Sequence, residues 1–368
     1  LPFRHIEAKR PGSPCARFFQ ALIAVRVRLR RERPSTDPAP IDQKRLMSDQ
    51  VQNTRAVDNA TPAASRAATG RRCWIITDGK AGMDVQARGV ADALDIPYEF
   101  KHVAPRGLWA IAAPWGPVAP AERFGQPGRQ FAAPWPDIAI ATGRASIPYI
   151  RALKRLAGDA CYTVVLQDPK TGPRTADLIW VPAHDTRRGP NVITTLTSPH
   201  SFSPSRMREL RSSVPRDIAA LPSPRIAVIL GGKNGVYDFT EADDARFAAS
   251  LSSLGELGAG FMITPSRRTH QRLIKAADKA TASSPRILWN GEGENPYPQF
   301  LAHADALIVT ADSVNMCGEA CATGKPVFVF APSGGSAKFS RFHDGLTGAG
   351  VVRPLPSHFG AIERWTYP

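Results

Sequence analysis

The sequence predicts an α/β protein of two domains, each a parallel β-sheet covered by helices on both faces. Three observations predict it. Short apolar runs alternate with longer stretches that read as helices, the order expected of right-handed βαβ crossovers. Two of those runs lead straight into glycine turns, Asp78-Gly-Lys-Ala-Gly82 and Gly231-Gly-Lys-Asn-Gly235, so the chain has two similar beginnings. Between them, residues 203–224 read as a helix running into a Pro/Ser linker, which puts the domain boundary at 222/223.

The chain is 368 residues long, 43% hydrophobic and 8% aromatic, enough for two ordinary cores. No apolar run reaches the roughly 18 residues of a membrane-spanning helix. The formal charge is +15, but residues 1–70 hold 13 Lys+Arg against 6 Asp+Glu, so almost half of it lies there. The mildly basic remainder suits an anionic substrate or an anionic membrane surface, and no basic motif interleaved with aromatics points to nucleic acid. The five cysteines form no CxxC and no His/Cys spacing for zinc, no DxD-like acidic pair follows an early strand to hold another metal, and the scatter of the cysteines points to a reducing compartment.

Residues 1–70 read as a disordered basic segment. Its stretch 16–31 reads as a basic amphipathic helix that lies on an anionic membrane or serves as a transit segment; the alternative is that residues 1–46 are translated upstream sequence before a true start at Met47.

The first domain, residues 71–222, opens with the apolar run Cys73–Thr77, the glycine turn and a helix over about 84–94. In such a unit the glycines permit a tight turn, Lys80 offers a cation and the helix N-terminus attracts an anion. A strand over 98–103 follows. Residues 105–136 are then rich in Pro, Gly, Trp and Phe, an insertion without regular structure that walls an acceptor cleft, rests on lipid or is simply a loop packed over the core. Strands over 137–142, 162–166, 178–181 and 192–195 complete the half, with a helix to about 157 after the first. Their C-terminal ends carry Gly143-Arg144, Gln167-Asp168 and His184-Asp185, where open α/β sheets hold ligands.

The second domain, residues 223–350, repeats the plan: strand 225–230, glycine turn, helix 241–257, strand 261–264, the Ser266-Arg267-Arg268-Thr269 turn, helix to about 280, strand 287–289 and helix 298–303. The stretch Ala306 to Ala331 is a complete βαβ unit. Asp312 and Ser313 are good N-cap residues, Glu319 lies about two turns into the helix, and Gly324 before Pro326 stops it. A helix over 337–346 follows, and the tail 351–368 is expected to cross back to the first domain.

Two Rossmann-like halves with their carboxyl edges facing across a cleft resemble the GT-B glycosyltransferases. The 306–331 unit resembles that superfamily's donor-binding βαβ, as in the enzyme that transfers N-acetylglucosamine to lipid I. A more specific resemblance runs from Cys73 to Tyr367. Asp78-Gly-Lys-Ala-Gly82 with Gln86, Gln167-Asp168-Pro169, Pro182-Ala-His-Asp185, Gly231-Gly232, Thr264-Pro-Ser-Arg-Arg-Thr269, and Thr310-Ala-Asp-Ser-Val-Asn-Met316 with Glu319 and Gly324-Lys-Pro resemble the mitochondrial fission "elongated mitochondria" family. Its bacterial members are often labelled nucleoside-diphosphate-sugar epimerase-like. The resemblance implies, for plant members, a place on the cytosolic face of the mitochondrial outer membrane, recruiting a dynamin-related GTPase; bacterial members cannot share that role. The glycine loop departs from the family where it reads Met83-Asp84-Val85. The Tyr-x-x-x-Lys pair and GxxGxxG loop of a short-chain epimerase are absent.

The expected function is therefore a metal-independent, cofactor-free glycosyltransferase-like protein that takes a nucleotide-diphosphate sugar as substrate. Its acceptor is a glycan or lipid-linked sugar of the envelope, and its place is the cytoplasm, peripheral to the inner face of the membrane. The donor side comprises Gly231, Gly232, Lys233, Arg267, Arg268, Asp312, Ser313, Met316 and Glu319, with Glu319 on the ribose and the two glycine amides on the diphosphate. The acceptor and phosphate loops comprise Gly79, Lys80, Gly82, Gln86, Gly143, Arg144, Gln167 and Asp168. Asp78 is the first choice of general base, with His184 or His102 behind it. The alternative is a non-catalytic adaptor that keeps the GT-B scaffold.

Overall fold

The computed structural model describes residues 70–362, 364, 365 and 367. The expectations for the basic N-terminal segment fall on residues 1–69, outside the described residues.

Two six-stranded sheets carry the fold, and every strand pairing between neighbours is parallel. The first contains β1 (Cys73–Thr77), β2 (Tyr98–His102), β3 (Ile138–Thr142), β4 (Tyr162–Leu166), β5 (Leu178–Pro182) and β6 (Val192–Thr195), in the order β2-β1-β3-β4-β5-β6. The second contains β7 (Arg225–Leu230), β8 (Gly260–Pro265), β9 (Arg286–Leu288), β10 (Ala306–Thr310), β11 (Val327–Phe330) and β12 (Val352–Pro354), in the order β12-β11-β10-β7-β8-β9. The helices are α1 (Ala81–Leu94), α2 (Leu108–Ala112), α3 (Ile147–Ala157), α4 (Pro204–Arg211), α5 (Arg216–Ala219), α6 (Glu241–Glu256), α7 (Gln271–Ala280), α8 (Tyr297–His303), α9 (Val314–Cys321) and α10 (Ala337–Gly348).

The central strands are continuous apolar runs because both faces of each sheet are covered. Cys73 and Ile75 of β1 meet Val90 and Leu94 of α1, while Trp74 and Ile76 pack on Ile150 and Leu153 of α3. In the second sheet, Ile226 and Val228 meet Phe247 and Leu251 of α6, and Ala227 and Ile229 share the opposite core with Phe300 of α8 and Cys317 of α9. Strand order reverses between β1 and β3 in one sheet and between β7 and β10 in the other. The loops leaving those strands border crevices of the kind in which open parallel sheets bind ligands.

Three features differ from the sequence reading. The Pro/Ser linker groups residues 204–221 with the first domain, but Met207, Leu210, Ile218 and Leu221 lie in the core of the second, and Arg211 donates to the carbonyls of Ala302 (3.1 Å) and Thr323 (2.8 Å). The Pro/Ser punctuation marks the start of β7, whereas the crossing between domains runs through 196–203. The tail also stays on the second domain. Val352–Pro354 pairs with β11, Trp365 packs edge-on to Phe328, and the Tyr367 hydroxyl donates to the carbonyls of Lys325 (2.7 Å) and Cys321 (3.1 Å). Aromatic burial under the second sheet holds it there. Finally, the insertion holds the short helix α2, described below.

Because the tail does not return, the described chain passes between the domains once. That segment lies against three glycines. A Cβ on Gly89 of α1 would stand 2.5 Å from the His200 carbonyl oxygen, one on Gly345 of α10 2.7 Å from Leu196, and one on Gly318 of α9 3.3 Å from Thr197.

Candidate functional site

At the second-domain crevice, β7 ends in Gly231-Gly232 and β10 ends in Thr310-Ala311-Asp312-Ser313. The two loops are bonded to each other. The Gly231 N–H donates to Thr310 Oγ1 (2.7 Å), the Gly232 N–H to Asp312 Oδ2 (3.0 Å), and the Thr310 hydroxyl to Asp312 Oδ1 (2.6 Å). Arg268, from the turn after β8, adds its guanidinium to Asp312 Oδ2 at 3.0 Å. The buried Asp312 carboxylate thus receives three donors, as a buried charge must.

Both glycines are fixed by this packing. A Cβ on Gly231 would overlap the Asp312 carboxylate, and one on Gly232 the Arg268 carbonyl. The two amides that the sequence reading gave to a diphosphate are engaged inside the protein. Lys233 is exposed and pairs with Asp238 at 2.7 Å. Arg267 is exposed and has no partner among the described residues. The start of α9 completes the crevice: Ser313 Oγ accepts the Met316 N–H (3.3 Å), and the first-turn amides of Val314 and Asn315 have no partner within the helix.

Glu319 lies farther along α9, only 8% exposed, and its Oε2 accepts the Tyr297 hydroxyl at 2.6 Å. Burial pushes its carboxyl up to about 7, against the opposing pull of the Tyr297 hydrogen bond.

The first-domain crevice is built from the β1 and β3 turns. Asp78 Oδ2 accepts from Lys80 Nζ (3.0 Å), and its buried Oδ1 has no partner. Gly143 has φ 89°, and a Cβ on it would stand 2.6 Å from the Asp78 carboxylate, so the carboxylate lies directly over the β3 turn. Gly79, at φ 80°, would bring a Cβ to 3.7 Å from His102 Nδ1. Asp78 and His102 therefore flank one turn.

His184 stands apart from that pair. It is buried at the domain contact, edge-on to Phe342 of α10 at 5.5 Å, and burial together with the nearby Lys338 lowers its pKa. Its carbonyl accepts from Arg341 (3.3 Å), and neighbouring Asp185 pairs with Lys338 (2.7 Å). Asp168 is also committed. Burial raises its pKa, but hydrogen bonds from Lys170 and Arg187 prevail and hold it at about 2. Arg144 turns away to α2, donating to the carbonyls of Ala110 (3.2 Å) and Ile111 (2.7 Å).

Gln86 and Gln167 carry the contact between the crevices. Gln167 holds a positive φ of 74° and donates to Gln86 Oε1 (3.3 Å). Gln86 Nε2 donates to Asn315 Oδ1 (2.9 Å), and Asn315 Nδ2 to the Gly82 carbonyl (3.3 Å). The start of α9 in one domain is thereby tied to the start of α1 in the other. Asn315, Tyr297 and Thr310 were not among the expected site residues. Thr310 and Asn315 both lie in the 310–316 motif that carries the family resemblance, and Asn315 is also a polar residue in the first turn of the helix; Tyr297 is recognisable only by what it touches.

The family model described as "Mitochondrial fission ELM1" matches residues 81–368. The mitochondrial fission protein ELM1 of Arabidopsis thaliana is 30% identical over 257 residues, covering 63% of this chain and 60% of that protein. An uncharacterized protein of Rickettsia prowazekii (strain Madrid E) is 31% identical over 147 residues, covering 38% of this chain and 41% of that one. The matched lengths are thus less than two thirds of either relative. Among solved structures, MurG of Acinetobacter baumannii aligns with a TM-score of 0.45 at 14% identity over 78% of this chain and 86% of that one. The UDP-GlcNAc 2-epimerase of Neisseria meningitidis, bound to UDP-GlcNAc, aligns with a TM-score of 0.45 at 9% identity over 78% and 88%.

Proposed function

The chain belongs to the mitochondrial fission ELM1 family, and on that premise we propose that it is a GT-B-type, metal-independent glycosyltransferase-like protein. Its donor is a nucleotide-diphosphate sugar and its acceptor a glycan or lipid-linked sugar of the cell envelope. It works in the cytoplasm, peripheral to the inner face of the membrane. The observation that carries the reading is the Gln86–Asn315 bond. It sets the α9 N-terminus, a place for phosphate, beside the loop that holds Asp78.

In this mechanism the diphosphate lies at the first turn of α9, with Arg267 and Lys233 supplying positive charge and Glu319 accepting the ribose hydroxyls in place of the Tyr297 hydroxyl. The acceptor oxygen bonds to the anomeric carbon while the bond from that carbon to the phosphate oxygen breaks. The nucleoside diphosphate leaves with the electron pair, and Asp78 takes the acceptor proton. Asp312, Gly231, Gly232 and Arg268 position this site from behind.

One observation favours the adaptor reading instead. The Gly231 and Gly232 amides and Glu319 are already satisfied by protein groups. Thermal-shift measurements with UDP-, GDP-, ADP- and CMP-sugars separate the two. The transferase reading expects stabilisation by one of the three diphosphate classes, not by the monophosphate CMP-sugars, and its loss in Glu319→Ala; no shift with any class, and full function in Glu319→Ala, leaves the adaptor.

A further inference from the structure

Helix α2 inverts the usual rule for a surface helix. None of its residues is buried, and its large apolar side chains point outward: Leu108 is 79% exposed and Ile111 71%, with Trp109 beside them and Trp115 63% exposed just beyond. Its attachment to the domain body includes polar bonds to its backbone. Arg144 donates to the carbonyls of Ala110 and Ile111, Arg151 donates to those of Pro114 (3.2 Å) and Trp115 (2.9 Å), and Trp115 Nε1 donates to the Lys170 carbonyl (3.1 Å). The arginines and the indole thus leave the apolar face outward.

Trp115 is also one wall of a recess of about 790 Å³. Arg151, Lys154, Arg155, Lys170 and Arg174 line it, and no carboxylate is among the described residues that do. Asp177 neutralises Lys154 and Asp168 neutralises Lys170, but the Arg155 and Arg174 side chains are exposed and have no partner among the described residues. A short apolar ridge rimmed by tryptophan and backed by a cationic hollow is complementary to one kind of surface, an anionic lipid bilayer. A protein partner would have to match ridge and hollow together, whereas lipid phosphates supply the negative charge at the same depth as the tryptophans.

We propose that the Leu108–Trp115 segment is the membrane-docking face of the chain, with Leu108 and Ile111 entering the acyl boundary and the Arg151–Arg174 recess receiving phospholipid phosphates. This deepens the peripheral membrane contact in the function proposed above and rests on that part of it. The face shares Arg144 with the β3 turn that carries Gly143, over which Asp78 lies, so a docked molecule presents the acceptor crevice near the bilayer.

The test uses the full chain. Wild type is expected to co-sediment at low salt with vesicles of phosphatidylglycerol and phosphatidylcholine, but not with phosphatidylcholine alone, and brominated acyl chains are expected to quench its tryptophan fluorescence. Leu108→Ser with Ile111→Ser should lower partitioning at least about ten-fold with an unchanged melting temperature, since both side chains are exposed. Arg155→Glu with Arg174→Glu should lower it comparably and flatten its salt dependence. Unchanged binding in the Leu108/Ile111 variant would overturn the proposal, as would failure of wild type to bind, which would leave a protein partner for the ridge. Nucleotide-sugar thermal shifts on the same variant report the cleft independently, so loss of docking and loss of the donor reading are distinguishable.

Discussion

Gln86 of the first domain and Asn315 of the second are joined by a 2.9 Å hydrogen bond, and the Asn315 amide continues to the Gly82 carbonyl. One side chain thus reads the position of both helix starts. Asn315→Ala is expected to leave each domain folded and to open the contact. A double-mutant cycle with Gln86→Ala should give a coupling of about 1 kcal/mol, measured by denaturation, and small-angle scattering should show a larger radius of gyration. Additive single effects and an unchanged radius would deny the contact a role in holding the cleft.

Gly231→Ala and Gly232→Ala should each destabilise by about 1–3 kcal/mol, because the new methyl meets the Asp312 carboxylate or the Arg268 carbonyl. Gly235→Ala, whose Cβ meets nothing within 4 Å, is the control and should stay within about 0.5 kcal/mol. Urea midpoints on the three variants distinguish packing from ligand chemistry, since no ligand is needed to see the effect.

Asp312→Asn is expected to cost about 2 kcal/mol. The amide can keep only one acceptor oxygen for the Gly232 N–H, the Thr310 hydroxyl and the Arg268 guanidinium, so a buried donor is left unpaired. Arg268→Gln should cost less, because the Arg268 side chain is half exposed and water can take over its contacts. Equal losses in the two variants would contradict the inward role given to Asp312.

Glu319 predicts a pH dependence. Folded, it holds its proton up to about pH 7; its ordinary value is 4.5. Between these values the folded protein keeps a proton that the unfolded chain has released, so stability falls as pH rises through this window. At pH 8 the buried charge costs on the order of 3 kcal/mol. Glu319→Gln should therefore be more stable than wild type at pH 8 and indistinguishable from it below about pH 4.5, as read from thermal melts in matched buffers. A difference that persists at low pH would mean that the substitution acts through packing.

Much of the fold was legible in the sequence because buried parallel strands leave unbroken apolar runs: Tyr162–Leu166, Arg225–Leu230, Ala306–Thr310 and Val327–Phe330 were read end to end. β12 was missed because Val352–Pro354 buries only its first residue. α2 was missed because its apolar residues face outward and give no core-directed stripe. The site was legible as positions but not as partners. Asp312 reads as a helix cap, yet its carboxylate reaches Gly232, 80 residues earlier in the chain. Arg144 reads as a cleft cation, yet it holds α2. No spacing encodes such pairings, because they arise only when two crossovers bring their loops to one sheet edge.

Among the described residues, the crossing at 196–203 is a single pivot between the domains. Gly89, Gly318 and Gly345 are the seats in which that strand of chain lies, each only a hydrogen atom deep. With no second crossing among the described residues to act as a brace, how closely the pivot sits in those seats joins the Gln86–Asn315 and Asp185–Lys338 contacts in setting the angle between the two sheets. The residues that govern how wide the crevices stand apart thus need not line them.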